Sequence, residues 1–218
     1  MTVSAIECDV LVIGAGAGGL ATAIVARSLG LDVILAEKEP LFGGTTAWSG
    51  GWLWIPANAL ARKAGLQDDI ESAKTYLRGQ IGEGMDDAKV DAYLQHGPRM
   101  VDFFHQRTEV KFVAGLAIPD FHPEAPGGAV GRLVGAAPYD GRALGDLLQK
   151  LRPPLREMTV SGMAVAGGAD LKQLMDASRS PAAAWYALRR FASYFWQRAR
   201  YGKATWLVNG NALAGRLG

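Results

Sequence analysis

Three glycines and one acid within the first forty residues carry the clearest chemical content of this sequence. Gly14, Gly16 and Gly19 fit the spacing G-x-G-x-x-G inside the run Gly14-Ala15-Gly16-Ala17-Gly18-Gly19. Glu37 follows about 20 residues on. A glycine at position 14 permits a tight turn, one at 16 lets the backbone meet a pyrophosphate with no Cβ between them, and one at 19 lets a helix lie close on its strand. Free N–H groups at a helix start, and the helix dipole, favour phosphate charge. A carboxylate at Glu37, with Lys38 beside it, is placed to accept hydrogen bonds from ribose hydroxyls, and it would repel a 2′-phosphate, which disfavours NADP. The pattern is that of a dinucleotide cradle. Both NAD and FAD proteins use it, so the spacing alone leaves the choice open.

A second glycine-rich segment runs from Gly43 to Pro56. Gly44, Thr45, Thr46, Ser49, Gly50 and Gly51 are small or hydroxylic. Such residues let backbone amides approach a ligand, and their hydroxyls can bond phosphate or ring edges. Trp48, Trp52, Trp54 and Ile55 interleave with them, which a plain surface loop would not favour. The tryptophans are expected as wall or core.

The elements that must position these residues follow from pattern. Cys8–Ile13 reads as a buried strand, Leu20–Leu29 as an Ala-rich helix stopped by Gly30, and Asp32–Ala36 as a second strand. Strand, glycine turn, helix and strand make a βαβ unit with parallel strands. Beyond it Asp68-Asp69 can start a helix through about Arg78, and Asp86-Asp87 another that ends near Gly97. Pro98 is expected in the first turn of the next helix. Val110–Val113 reads as a short strand, and Pro119–Gly141 as a long aperiodic loop. Leu144–Leu151 is helical. Pro181–Arg200 is amphipathic, with Trp185, Leu188, Phe191, Phe195 and Trp196 as its apolar stripe. Trp206–Val208 is a strand candidate. Asn211 opens a helix only seven residues before Gly218, too short to bury a face, so the sequence looks cut short.

Composition excludes several classes. Of 218 residues, 49% are hydrophobic and 20% charged, enough for a packed core. A net charge of +2 gives no argument for nucleic acid. Cys8 is the only cysteine, and His96, His105 and His122 are dispersed, so no metal site is expected. The apolar run Val10–Ala26 is broken by four glycines and so is not expected to span a membrane. The chain is expected to be soluble and cytoplasmic.

Taken together, the two glycine segments resemble the fumarate reductase and 3-ketosteroid Δ1-dehydrogenase group of FAD-dependent oxidoreductases. In that group the segment after the ribose-binding acid reads G-G-[TN]-[ST]-x-x-[SA]-G-G, matched here by Gly44-Thr45-Thr46 and Ser49-Gly50-Gly51. Pro119–Gly128, Asp140–Gly145 and Asn209–Leu213 are similar to later family landmarks, with the ketosteroid side favoured. The resemblance implies an α/β fold: a Rossmann-like FAD-binding domain with an incomplete parallel sheet, and an inserted, mostly helical α+β substrate domain. The implied division is 1–65 for the first FAD-domain portion, 66–203 for the substrate domain, and 204–218 for the start of the return. It implies FAD as cofactor, a small hydrophobic substrate such as a steroid, and oxidation of a CH–CH bond beside a carbonyl by hydride transfer to flavin N5. In the family, tyrosines handle the protons. Phe121 stands here at one tyrosine position and cannot relay a proton, which leaves His122 and Tyr139 as weak candidates. The remaining family tyrosines lie beyond this chain. The alternatives are a nucleotide-binding fragment without turnover and an NAD-dependent dehydrogenase, which would leave Gly43–Gly51 unexplained.

Overall fold

The computed structural model describes residues 5–218. In chain order its regular elements are β1 (Val10–Ile13), α1 (Ala17–Ser28), β2 (Val33–Ala36), β3 (Trp52–Trp54), α2 (Ala59–Lys63), α3 (Ile70–Ile81), α4 (Asp87–Arg107), β4 (Phe112–Ala114) and β5 (Leu133–Ala136). There follow β6 (Tyr139–Asp140), α5 (Leu147–Lys150), β7 (Thr159–Val160), β8 (Met163–Ala164), α6 (Ala169–Met175), α7 (Pro181–Tyr201), β9 (Trp206–Leu207) and α8 (Asn209–Leu217). No helix among the described residues is long and apolar enough to cross a membrane.

The chain forms two compact units. One runs to Gly51 and resumes over Pro138–Gly218; the other is Trp52–Ala137. These contact boundaries differ from the sequence divisions at 65 and 203. Trp52–Trp54 leaves the first unit because it pairs with β5, and 138–203 joins it because Phe42 bridges Leu151.

In the first unit β1 and β2 are parallel, with Val10 opposite Val33 and Ile13 opposite Ala36. Strand alternation turns Val12 inward and Leu11 and Ile13 outward, where they are 58% and 75% exposed. The sheet has two strands, and its outer apolar face is uncovered among the described residues. Helix α1 starts at Ala17, three residues before the predicted start, because Gly16 is the N-cap and the glycines form the first turn. A Cβ at Gly19 would lie 1.8 Å from the Gly14 carbonyl oxygen and 3.4 Å from Val12 Cγ1. The helix can therefore lie on β1 only where that side chain is absent.

Helix α8 corrects the expectation that the last helix is too short to bury a face. It begins at Asn209 and is buried almost throughout. Its small residues explain this, since a Cβ at Gly210 would fall 1.9 Å from the Thr46 carbonyl oxygen. Helix α7 begins with Ser180 as N-cap and Pro181 inside its first turn, and ends at the left-handed Gly202. Its expected apolar stripe does not face a core. Trp185, Leu188, Phe195 and Trp196 are exposed, while Ala183, Tyr194 and Gln197 are buried. Polar contacts fix this rotation: Arg190 pairs with Asp170 at 3.1 Å, and Gln197 Oε1 accepts the N–H groups of Thr205 and Trp206 at 2.8 and 3.0 Å.

In the second unit β5 is the central strand between β3 and β4, antiparallel to both. Asp69 and Asp86 cap α3 and α4 by accepting the N–H groups of Ser72 and Lys89. The expected break at Gly97-Pro98 is absent, and α4 is one helix of 21 residues with Pro98 inside. The buried positions Leu94, Gly97, Val101 and Phe104 continue across the proline. Packing of this face outweighs the hydrogen bond that Pro98 cannot donate. The expected loop Pro119–Gly141 also contains two strands, β5 and β6.

Gly18 sits beside Gly19 but has open space where its Cβ would go. Replacing Gly19 by Ala should cost about 2–4 kcal/mol in urea unfolding, since backbone must move. Gly18→Ala should stay within about 1 kcal/mol of wild type.

Candidate functional site

Gly14 is left-handed at φ 96°, and its N–H donates to the Ala36 carbonyl, so the turn crosses from β1 to the end of β2. This brings Glu37 onto the turn. Glu37 Oε2 accepts the Ala15 N–H at 2.7 Å, and Oε1 accepts the Glu39 N–H at 3.1 Å. Each carboxylate oxygen keeps a further lone pair. The Ala15 contact, then that of Glu39, holds the Glu37 carboxyl below its ordinary 4.5, and the charge of Arg152 adds to the lowering.

The second glycine segment packs directly on this turn. The Gly43 N–H donates to the Ala15 carbonyl at 2.8 Å, and Thr46 Oγ1 accepts the Ala17 N–H at 3.0 Å. A Cβ at Gly44 would touch Gly16 Cα at 3.4 Å. Ser49 donates its hydroxyl to the Thr46 carbonyl at 2.9 Å and accepts the Gly51 N–H at 3.1 Å. Gly51, at φ 71°, and Gly50 lead out of the segment, and Gly51 lies against the Asn209 backbone. Thus Gly14, Ala15, Gly16, Ala17, Gly19, Glu37, Gly44, Thr46, Ser49 and Gly51 come together. Gly18 faces open space, Thr45 is exposed, and Lys38 points to solvent beside Glu39 at 4.0 Å. A cavity of about 360 Å³ opens at Glu37, lined by Ala15, Leu20, Leu35, Pro40 and Lys150 among others.

The residues fit a dinucleotide. Where a Cβ at Gly16 would go, the nearest atom is Thr46 Oγ1 at 3.9 Å, so a phosphate can come up to the backbone. First-turn amides of α1 have no acceptor within the helix. Sequence reasoning missed Arg152, whose guanidinium lies 4.7 Å from the Trp48 ring centroid. The only signal was a basic residue two positions past the end of α5.

The weak catalytic candidates belong to different units. Tyr139 is in the first unit, with the Arg216 guanidinium 4.7 Å from its ring centroid. Phe121 and His122 are in the second, at a cavity of about 480 Å³ lined mainly by apolar groups such as Leu77, Ile118 and Leu133. Phe121 is 97% exposed. His122 Nδ1 lies 3.5 Å from Glu124 Oε1, and both side chains are exposed. Trp54 is half-buried and lines this cavity, within the expected place of the tryptophans as wall or core, while Trp48 and Trp52 are each 38% exposed and so are not core.

The wall of this cavity rests on a buried ion network. Arg132 donates to Asp68 at 2.8 Å and to Asp120 at 2.9 Å, and all three side chains are almost fully buried. One cation between two carboxylates leaves an excess negative charge. Backbone and indole donors answer it: Ala57 N–H to Asp68 at 2.8 Å, Ala129 N–H to Asp120 at 3.0 Å, and Trp54 Nε1–H to Asp120 at 2.6 Å.

A family model described as "FAD binding domain" matches residues 9–217. The chain belongs to that family. The dinucleotide that this family takes is FAD. The chain is 37% identical over 209 residues to a 4-oxocyclohex-2-ene-1-carboxylate 5-dehydrogenase of Sinomonas cyclohexanicum, covering 95% of this chain and 35% of that protein. It is 36% identical over 194 residues to a 3-oxosteroid 1-dehydrogenase of Mycobacterium tuberculosis, covering 88% and 34%. The crystal structure of 3-ketosteroid delta1-dehydrogenase from Sterolibacterium denitrificans in complex with 1,4-androstadiene-3,17-dione superposes with a TM-score of 0.83 at 28% identity, covering 96% of this chain and 38% of that one. The chain therefore spans about a third of the length of these relatives.

Two predictions follow from the two networks. Arg132→Met leaves two buried carboxylates without their cation and should cost about 3–5 kcal/mol in chemical unfolding. Glu37→Gln should unfold at lower urea than wild type near neutral pH. Because the folded carboxyl is held below 4.5, that gap should persist down to about 4.5 and close as the pH falls further through the lowered value. Urea midpoints measured on both proteins from pH 7 to 3 check the sign.

Proposed function

We propose that this FAD-binding portion serves a dehydrogenase that removes hydrogen from a CH–CH bond beside a ketone, or adds it in reverse. In this reading Gly14–Gly19 forms the first turn of a Rossmann-like domain and holds the pyrophosphate. Glu37 accepts from the adenosine ribose, and Thr45, Thr46, Ser49 and Gly50 line the path toward the flavin. Residues 66–203 are proposed as substrate domain, inserted between the first FAD-domain portion and a return that starts at 204, with 138–203 packing on the first portion. The observation that carries the reading is the direct packing of Gly43 and Gly44 on the Ala15–Gly16 backbone. An NAD reading gives that second segment no task.

Desaturation requires that the α-carbon lose a proton to a base and the β-carbon lose a hydride as the C=C bond forms. Bound FAD supplies the hydride acceptor. The apolar cavity beside Phe121 suits a neutral, hydrophobic ring ketone, in line with the steroid and oxocyclohexene relatives. Phe121 has no proton to give; His122, 3.5 Å from Glu124, stands beside it, and Tyr76 and Asp120 line the same cavity. The same lack of a hydroxyl favours a second reading, binding of FAD without turnover by these 218 residues.

The 218-residue chain should bind FAD with a change in the visible flavin spectrum, and bind it in preference to NAD. Glu37→Ala should weaken FAD roughly 10-fold by losing hydrogen bonds to the ribose. Absence of any flavin binding, or preference for NAD, contradicts the reading. Turnover of a 3-ketosteroid with an artificial electron acceptor would exclude the second one.

A further inference from the structure

Arg152 is held at the rim of the glycine cradle by its own backbone. Its N–H donates to the Phe42 carbonyl at 2.9 Å, and its carbonyl accepts from Asn211 Nδ2 at 2.7 Å. Phe42 precedes Gly43, whose N–H reaches Ala15. The guanidinium rests over Trp48, a member of the second glycine segment. Among the described residues, Arg152 Nε is the buried side-chain donor that finds no hydrogen-bond partner. An unmet buried donor is costly, and such atoms call for an explanation.

The cradle also needs a cation. Two of its amides are already engaged within the protein, that of Ala15 by Glu37 and that of Ala17 by Thr46. The backbone donors left for a phosphate pair are therefore fewer than the glycine pattern implies, and a carboxylate stands beside them. A diphosphate entering this site meets one negative group already in place. Arg152 is close enough to Glu37 for their charges to interact.

We propose that Arg152 is a binding residue of the cofactor site, its guanidinium paired with the pyrophosphate of FAD and its Nε–H one of the donors. This rests on the FAD reading above and adds to it a charged residue outside both glycine segments. Arginine suits the task because its planar fork matches phosphate oxygens, while its face stays on Trp48.

The test uses the 218-residue chain and two variants. Arg152→Met keeps an apolar stem over Trp48 and removes the charge; Arg152→Lys keeps a charge and removes the fork. Affinity for FAD is read by flavin fluorescence, and ADP by competition, with riboflavin as a probe lacking phosphate. Arg152→Met should weaken FAD and ADP by roughly 10- to 100-fold and leave riboflavin unchanged, and the salt dependence of FAD binding should flatten. Arg152→Lys should fall between the two. Wild-type affinity for FAD and ADP in Arg152→Met overturns the proposal, as does an equal loss for riboflavin. Should Arg152→Met fail to fold, Arg152→Lys decides: weaker ADP with an unchanged melting temperature supports the assignment, and unchanged ADP overturns it. A wild-type chain that binds neither FAD nor ADP overturns the cofactor reading itself, which separates that failure from this one.

Discussion

Backbone meets backbone without side chains between them at three levels of the first unit, and the rest of that unit depends on it. Gly19 lies on the Gly14 carbonyl, Gly44 on Gly16, and Gly210 on the Thr46 carbonyl. At Gly19 and Gly210 a single methyl group would occupy space already held by an oxygen. This close stacking brings β1, α1, the Gly43–Gly51 segment and α8 to one place. It also leaves an open approach at Gly16, where a charged ligand can reach main-chain amides. Stability thus draws on an absence of side chains, and the proposed binding of the cofactor draws on the same feature.

Polar groups then decide what such an opening can hold. Glu37 closes onto Ala15 and presents a carboxylate at the mouth of the adjoining cavity. Thr46 takes the first amide of α1. The second unit solves a different problem with the same tools. Its Arg132 network buries three charges and compensates them with backbone and indole donors, which stiffens the aperiodic segment 119–131. The apolar cavity next to that network is lined by α3, β3 and β5 on one side and by residues 118–122 on the other.

Short-range patterns were legible in the sequence. The Asp69 and Asp86 caps and the Pro181 start act through neighbours within a few residues, and each stands where it was expected, whereas Glu37 reaches the glycine turn at Ala15 across 22 residues of sequence. What sequence concealed was set from a distance. Leu133–Ala136 is only four residues long and contains Gly135, and it becomes a strand because β3 and β4 pair with it from both sides. The rotation of α7 was hidden because Asp170, Thr205 and Trp206 fix it from outside the helix. Helix α4 runs through Pro98 because its buried face, not its hydrogen bonds, governs it. Arg152 and Arg132 carry no local motif, and their partners are remote in sequence.

The most direct test of the central claim follows the backbone amides themselves by heteronuclear NMR while ADP, and separately FMN, is added to the chain. The account predicts that ADP shifts the amide signals of Gly16 and Gly18 and their neighbours in Gly14–Gly19, and that FMN, which lacks the adenosine half, leaves them in place. Shifts that spare Gly14–Gly19 with ADP, or that move them equally with FMN, would contradict it.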